Sequence, residues 1–162
     1  MYKEMFDADQ WKTLQSAVVW VFELISSADG KVDKKEYASL NIILKKINAF
    51  ASPLMKEVLT SIENIETLFG TKGRDVRAVK QGLEDLRKLI DYKFEPADEF
   101  EIKKDYVAIG FYIALASGSF FGDKISDEEM DTLNELGVLL NFPVKHVIET
   151  NAIDKIIAKI NE

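Results

Sequence analysis

Two short acidic stretches, 93 positions apart, constrain what this chain can fold into. The first is Ala28-Asp29-Gly30-Lys31-Val32-Asp33-Lys34-Lys35-Glu36, and the second is Phe121-Gly122-Asp123-Lys124-Ile125-Ser126-Asp127-Glu128-Glu129. Each joins the end of a very apolar helical pattern to the start of an amphipathic one. Aligning Asp29 with Gly122 pairs Lys31 with Lys124, Val32 with Ile125, Glu36 with Glu129 and Leu40-Asn41 with Leu133-Asn134. Self-similarity at a fixed offset is the mark of a repeated structural unit. The expectation is an all-α, single-domain helical bundle over residues 1–162, with an internal pseudo-twofold repeat of helix–acidic loop–helix units at about residues 7–50 and 98–142.

The apolar periodicity fills in the helices. Trp11, Leu14, Val18, Val21, Ile25 and Ala28 recur at three- and four-residue steps behind a capping Asp7 or Asp9. Trp20, Phe22 and Leu24 widen that stripe, so this helix should be buried on more than one side. A second helix starts at Asp33, with Glu36 completing a capping box, Val32 and Tyr37 a hydrophobic staple, and Leu40, Leu44 and Ile47 inward. Ser52-Pro53 starts a third, with Leu54, Val58, Ile62, Ile65 and Leu68 carrying it to Gly70. A fourth is expected from Asp75, with Val76, Val79, Leu83, Leu86 and Ile90 inward, and Gly82 weakening it by about 1 kcal/mol relative to alanine.

Glu95-Pro96 ends that element, and a fifth helix runs from about Asp98 to Ser117. Its second half is apolar on all sides and belongs at the domain centre. Gly110 and the alanines at 108, 114 and 116 allow neighbours to approach closely. Ser126 with Glu129 repeats the capping box and Ile125 with Met130 the staple, followed by Leu133, Leu136, Val138 and Leu140 inward. Asn141-Phe142-Pro143 breaks the chain, and two short helices close it at about 143–149 and 151–160.

Composition narrows the chemistry. There is no cysteine and one histidine, His146. Thiol catalysis, disulfides, iron–sulfur clusters and the usual zinc sites therefore fall away. Any metal would be held by oxygen, which points to calcium, magnesium or manganese. The net charge of −7 argues against nucleic acid as the main partner. The start lacks a secretory pattern, and the longest apolar run, Val107 to Ala116, is shorter than the roughly 20 residues of a membrane span, so a cytoplasmic location is expected.

The first acidic stretch superficially resembles a calcium-binding EF-hand loop. With Gly30 and Glu36 at the sixth and twelfth positions, however, Ile25 falls where the first carboxylate belongs. Asp29, Asp33 and Glu36 remain as a partial oxygen set around a turn that glycine permits. Asp123 and Glu129 are the counterparts in the second stretch. The same residues serve equally as helix boundaries: Asp33 and Glu36 form a capping box, and acids in a first helical turn are favoured by the helix dipole. Both readings, metal site and helix cap, stand on the sequence.

The pattern at Ala28, Asp29, Gly30, Val32 and Glu36, following a buried helix, resembles the repeated Ala-Asp-Gly-x-(Ile/Val)-x-x-x-Glu signature of the TerB-like family of bacterial tellurite-resistance and stress-response proteins. The second copy inverts Gly122-Asp123 and keeps Ile125 and Glu129. The resemblance implies an all-helical fold with internal pseudo-symmetry, a link to tellurite resistance and a metal-binding acidic surface. It also implies action through protein partners in membrane-associated stress complexes rather than through a catalysed reaction. A homodimer is a further expectation. The alternative is a purely structural interaction module with no metal site.

Other signals have plainer readings. The basic residues Arg74, Arg77, Lys80 and Arg87 before Tyr92-Lys93-Phe94 are interrupted by Glu84, Asp85 and Asp91, and read as a solvated helix face. His146 reads as a surface or packing residue, and Phe120-Phe121 as an anchor of its loop to the core.

Overall fold

The computed structural model describes residues 1–26, 34–48, 51–62, 77–117 and 127–145, without the side chains of 34–39, 43, 116 and 117. Among them are six α-helices and no strand: α1 (Ala8–Ser26), α2 (Lys34–Ile47), α3 (Pro53–Ser61), α4 (Val79–Lys93), α5 (Pro96–Ser117) and α6 (Asp127–Leu140). A short 3-10 turn, Tyr2–Met5, precedes them.

α1 and α5 form the centre. α1 packs along both α4 and α5, α2 lies on α5, α3 rests on α1, and α6 contacts α4, α5 and α1. Trp11, Leu14, Val18, Val21 and Ile25 are buried, and Val19, Trp20, Phe22 and Leu24 are buried with them, so α1 is covered on several sides. α5 is enclosed from Tyr106 to Phe111. Tyr106 bolts the two together: its hydroxyl donates to the Leu14 carbonyl at 2.8 Å. Burial raises the Tyr106 phenol well above its usual range, with the Asp105 charge adding to it, so this donor keeps its proton.

Local chemistry sets several boundaries. Asp7 Oδ1 accepts from the Gln10 amide at 2.8 Å while Gln10 Oε1 accepts from the Asp7 amide at 2.9 Å, a reciprocal capping box that starts α1. Ser52 caps α3, with Pro53 in the first turn. Pro96 begins α5 two residues earlier than the periodicity placed it. α6 ends in a Schellman motif: Asn141 is left-handed (φ 54°), Phe142 N–H donates to Gly137 O at 2.8 Å and Asn141 N–H to Val138 O at 3.1 Å. A side chain at Gly137 would collide with Val144 and lie 2.9 Å from the Phe142 carbonyl, so the returning chain requires glycine there.

Four expectations are corrected. α3 ends at Ser61 rather than running on to Gly70, because Ile62 is extended (φ −83°, ψ 97°) and Ser61 Oγ donates back to Val58 O at 2.6 Å. α4 begins at Val79 rather than Asp75, because Ala78 is extended (ψ 149°) and carries no side-chain cap. Val138 is 80% exposed rather than inward; Leu133, Leu136 and Leu140 form the buried stripe. Gly82 is no mere weakness, since a Cβ there would lie 2.7 Å from three ring atoms of Trp20. Asp33, Asp75, Val76, Ile65, Leu68, Ser126, Phe120, Phe121 and His146 lie outside the described residues, as does the second closing helix; of the first, 143–145 are described, with Val144 and Lys145 helical.

Candidate functional site

Of the acids singled out in the sequence, Glu129 is placed with its side chain, half-buried in the first turn of α6 beside the exposed Asp127 and Glu128. Asp29, Asp33 and Asp123 lie outside the described residues, as does the side chain of Glu36 in α2. Among the described residues no three acidic or histidine side chains group so as to hold a metal ion.

The structure brings together a different acidic set, on α5. Asp105 is 6% exposed and faces the start of α3. Its Oδ2 accepts from the Ser52 amide at 3.1 Å and from the Ser52 hydroxyl, while Ser52 Oγ in turn accepts from the Met55 amide. Burial pushes the Asp105 carboxyl up to about 6; the Ser52 hydrogen bonds and Lys104 pull against it, and Glu101 adds to the rise. Beside Ser52 opens a cleft of about 200 Å³. Tyr2, Pro53, Leu54, Phe94 and Ile102 give it apolar walls, and Asp98 and Glu101 supply its charge.

A second polar cluster occupies another side of α5. Lys103 is 1% exposed. Its Nζ lies 2.7 Å from both Asp91 Oδ1 on α4 and Glu99 Oε1 one turn back, and Arg87 reaches Asp91 Oδ2 at 3.5 Å. Desolvation pushes the Asp91 carboxyl up, but the Lys103 hydrogen bond, Glu99 and the two cations outweigh it and hold it below its usual range.

The basic run ahead of Tyr92 is only partly a solvated face. Arg77 donates to Asp85 at 3.0 Å and to Thr13 Oγ1 at 2.6 Å, and its guanidinium lies 5.1 Å from the Trp20 ring centroid. Lys93 Nζ donates to the Met5 carbonyl at 2.7 Å and lies 5.6 Å from the Phe6 ring centroid. Lys80 pairs with Glu135 at 2.7 Å and Tyr92 is exposed, as a solvated face requires.

Lys103 and Asp105 escaped the sequence reading because charged residues ahead of an apolar run read as solvent-facing. The available signal was register. Lys103 stands three and seven residues before Tyr106 and Gly110, and Asp105 three after Ile102 and four before Ile109, so both fall on buried stripes.

No family model, curated protein or solved structure matches the chain. The TerB-like resemblance therefore rests on the residues that carry it.

Proposed function

We propose that the chain is a non-enzymatic stress-response protein of the TerB-like type, linked to tellurite resistance, that holds a divalent cation at its acidic stretches and acts through partner proteins. The observation that carries this reading is a matched helical frame. α2 and α6 are each 14 residues long, and Lys34 to Asp127 and Ile47 to Leu140 are both separations of 93, the offset between the two acidic stretches. Leu40 and Leu133 correspond and are both buried, as do Ile47 and Leu140. α2 lies on α5 and α6 touches α1, so each amphipathic helix contacts the apolar helix of the other half. That exchange supports the reading of two helix–loop–helix units related by a twofold axis, although α6 also packs on α5 of its own half.

Within this frame Asp29, Asp33 and Glu36 in one half, and Asp123 and Glu129 in the other, supply oxygen donors of the kind that calcium, magnesium and manganese take. The absence of cysteine leaves no thiol to reduce tellurite, so a role in resistance runs through binding and partners. A second reading, an interaction module whose acidic stretches are helix starts alone, is favoured by α6: Asp127 and Glu128 stand exposed in its first turn, where the helix dipole welcomes acids.

Thermal denaturation after chelation, with calcium, magnesium or manganese added back, separates the two. An ion present at about a hundred times its Kd stabilises the native state by about 2.7 kcal/mol. For a chain of this size that is a rise in Tm of about 5–10 °C. The rise is expected in the wild type and not in Asp29→Ala or Glu36→Ala. Identical melting with every ion leaves the helix-start reading.

A further inference from the structure

We propose that the cleft between the N-terminal turn, the start of α3 and the first half of α5 binds an organic ammonium group carried on a short apolar stem. Size sets the first limit. An apolar cavity of about 150 Å³ accepts benzene, so the roughly 200 Å³ here admits one aromatic ring or one lysine-like stem rather than a larger ligand. Pro53, Leu54 and Ile102 offer the stem apolar contact, and Tyr2 and Phe94 add aromatic rings.

Charge sets the second limit. Asp98, Glu101 and Asp105 follow one another at three- and four-residue steps along α5, which places them on one face. Lys104 pairs with Glu101 at 2.6 Å, but among the described residues Asp98 makes no ion pair. Behind the lining residue Tyr2, Glu57 Oε2 accepts from the Tyr2 amide at 2.7 Å, while its Oε1 is buried without a hydrogen-bond partner among the described residues; Glu57 does not itself line the cleft. Anions are repelled from such a place, and a neutral ligand leaves Asp98 without a counter-charge.

The neighbouring surface already uses this chemistry. The Lys93 ammonium lies over the Phe6 ring and donates to a backbone carbonyl, and Phe6 packs against Phe94, which lines the cleft, with ring centroids 6.0 Å apart. A cation over an aromatic face with an oxygen acceptor at hand is a stable pairing. The cleft offers aromatic rings and acceptors of the same kind to a cation from outside. This site is separate from the acidic stretches discussed above and does not depend on them.

The test is a titration of the full chain followed by amide NMR, with phenethylamine, Nα-acetyl-lysine methylamide and, as the neutral control, phenethyl alcohol. Saturable shifts at the amides of Ser52, Leu54 and Asp98 are expected with an amine, and binding about fivefold weaker with the alcohol. Asp98→Asn, an exposed position that leaves the core intact, is expected to weaken amine binding by a similar factor, and Asp29→Ala to leave it unchanged. Binding of the lysine compound alone identifies the occupant as a protein side chain, and binding of phenethylamine alone as a free amine. Equal binding of amine and alcohol, no effect of Asp98→Asn, or no saturable shift with either amine overturns the proposal.

Discussion

Asp105 is the position where the structure makes its most quantitative demand. Its carboxyl stands at about 6 in the folded chain against an ordinary value of 3.8, a rise whose largest cause is burial. That rise corresponds to about 3 kcal/mol between the protonation states. The sign follows from proton uptake. Between about pH 6 and pH 4 the folded chain holds a proton on Asp105 that the unfolded chain has released, so stability contributed here rises as pH falls through that window. Above about pH 6 the buried carboxylate is ionised and the benefit is gone. Asp105→Asn keeps an oxygen that accepts from the Ser52 amide and hydroxyl but cannot titrate. Urea unfolding of both proteins, followed by far-UV circular dichroism from pH 7 to pH 4, isolates the contribution of Asp105 because the other groups cancel in the difference. The wild type is expected to gain about 2–3 kcal/mol relative to Asp105→Asn on acidification. Stability curves that stay parallel across that range would refute the reasoning, since they would mean that Asp105 titrates alike in both states.

Two further substitutions test the packing. Gly82→Ala gains about 1 kcal/mol of helix propensity, but its Cβ would press on the Trp20 ring, which is fully buried and overlain by an Arg77 held by Thr13 and Asp85. Overpacking of this kind costs about 1–3 kcal/mol, so a lower urea midpoint is expected, and a raised one would show that Trp20 yields freely. Lys103→Met removes two charge-assisted hydrogen bonds of 2.7 Å from a buried ammonium, but Asp91 and Glu99 are near enough to solvent to rehydrate. The expected loss is therefore about 1–3 kcal/mol at neutral pH, below that of a fully buried pair. Because Asp91 is held below its usual range, its contribution is present above the unfolded value and lost as pH falls through the folded one. The variant should show less of that acid-side loss, and an unchanged acid limb would refute the assignment.

The parts of this fold that could be read from the sequence are those decided within a few residues. The period of α1 and the all-round apolarity of α5 place both helices at the centre, and Tyr106 and Leu14 meet there. Asp7 with Gln10, Ser52 with Pro53, and Asn141 each set a helix end through neighbours in the chain. The start of α4 was not legible, because Arg77, two residues ahead of its first residue, is tied to Thr13, 64 positions earlier. Val138 shows the limit of the stripe itself: an apolar residue off the buried face stays in water at little cost.

The polar sites were less legible for a reason that bears on how the bundle is specified. An acidic stretch at a helix start has the same composition whether it binds a cation or caps the helix, so Asp33 with Glu36 and Asp127 with Glu129 leave both open. Lys103 and Asp105 carry information of another kind. Two positions apart on a helix, they point about 200° around the axis from one another. One helix therefore buries opposite charges on two sides, and each takes a partner from a different neighbouring element, Lys103 in addition to Glu99 of its own helix. Asp91 of α4 meets Lys103, and Ser52 at the start of α3 meets Asp105. Exchanging α3 and α4 across α5 would take Asp91 from Lys103, leaving it Glu99 of its own helix, and would leave the Asp105 carboxyl buried without Ser52, a penalty that apolar packing alone does not impose. The two charges thus fix which helix lies on which side of the central one, and the same arrangement leaves Asp98 and Glu101 facing the cleft beside Ser52.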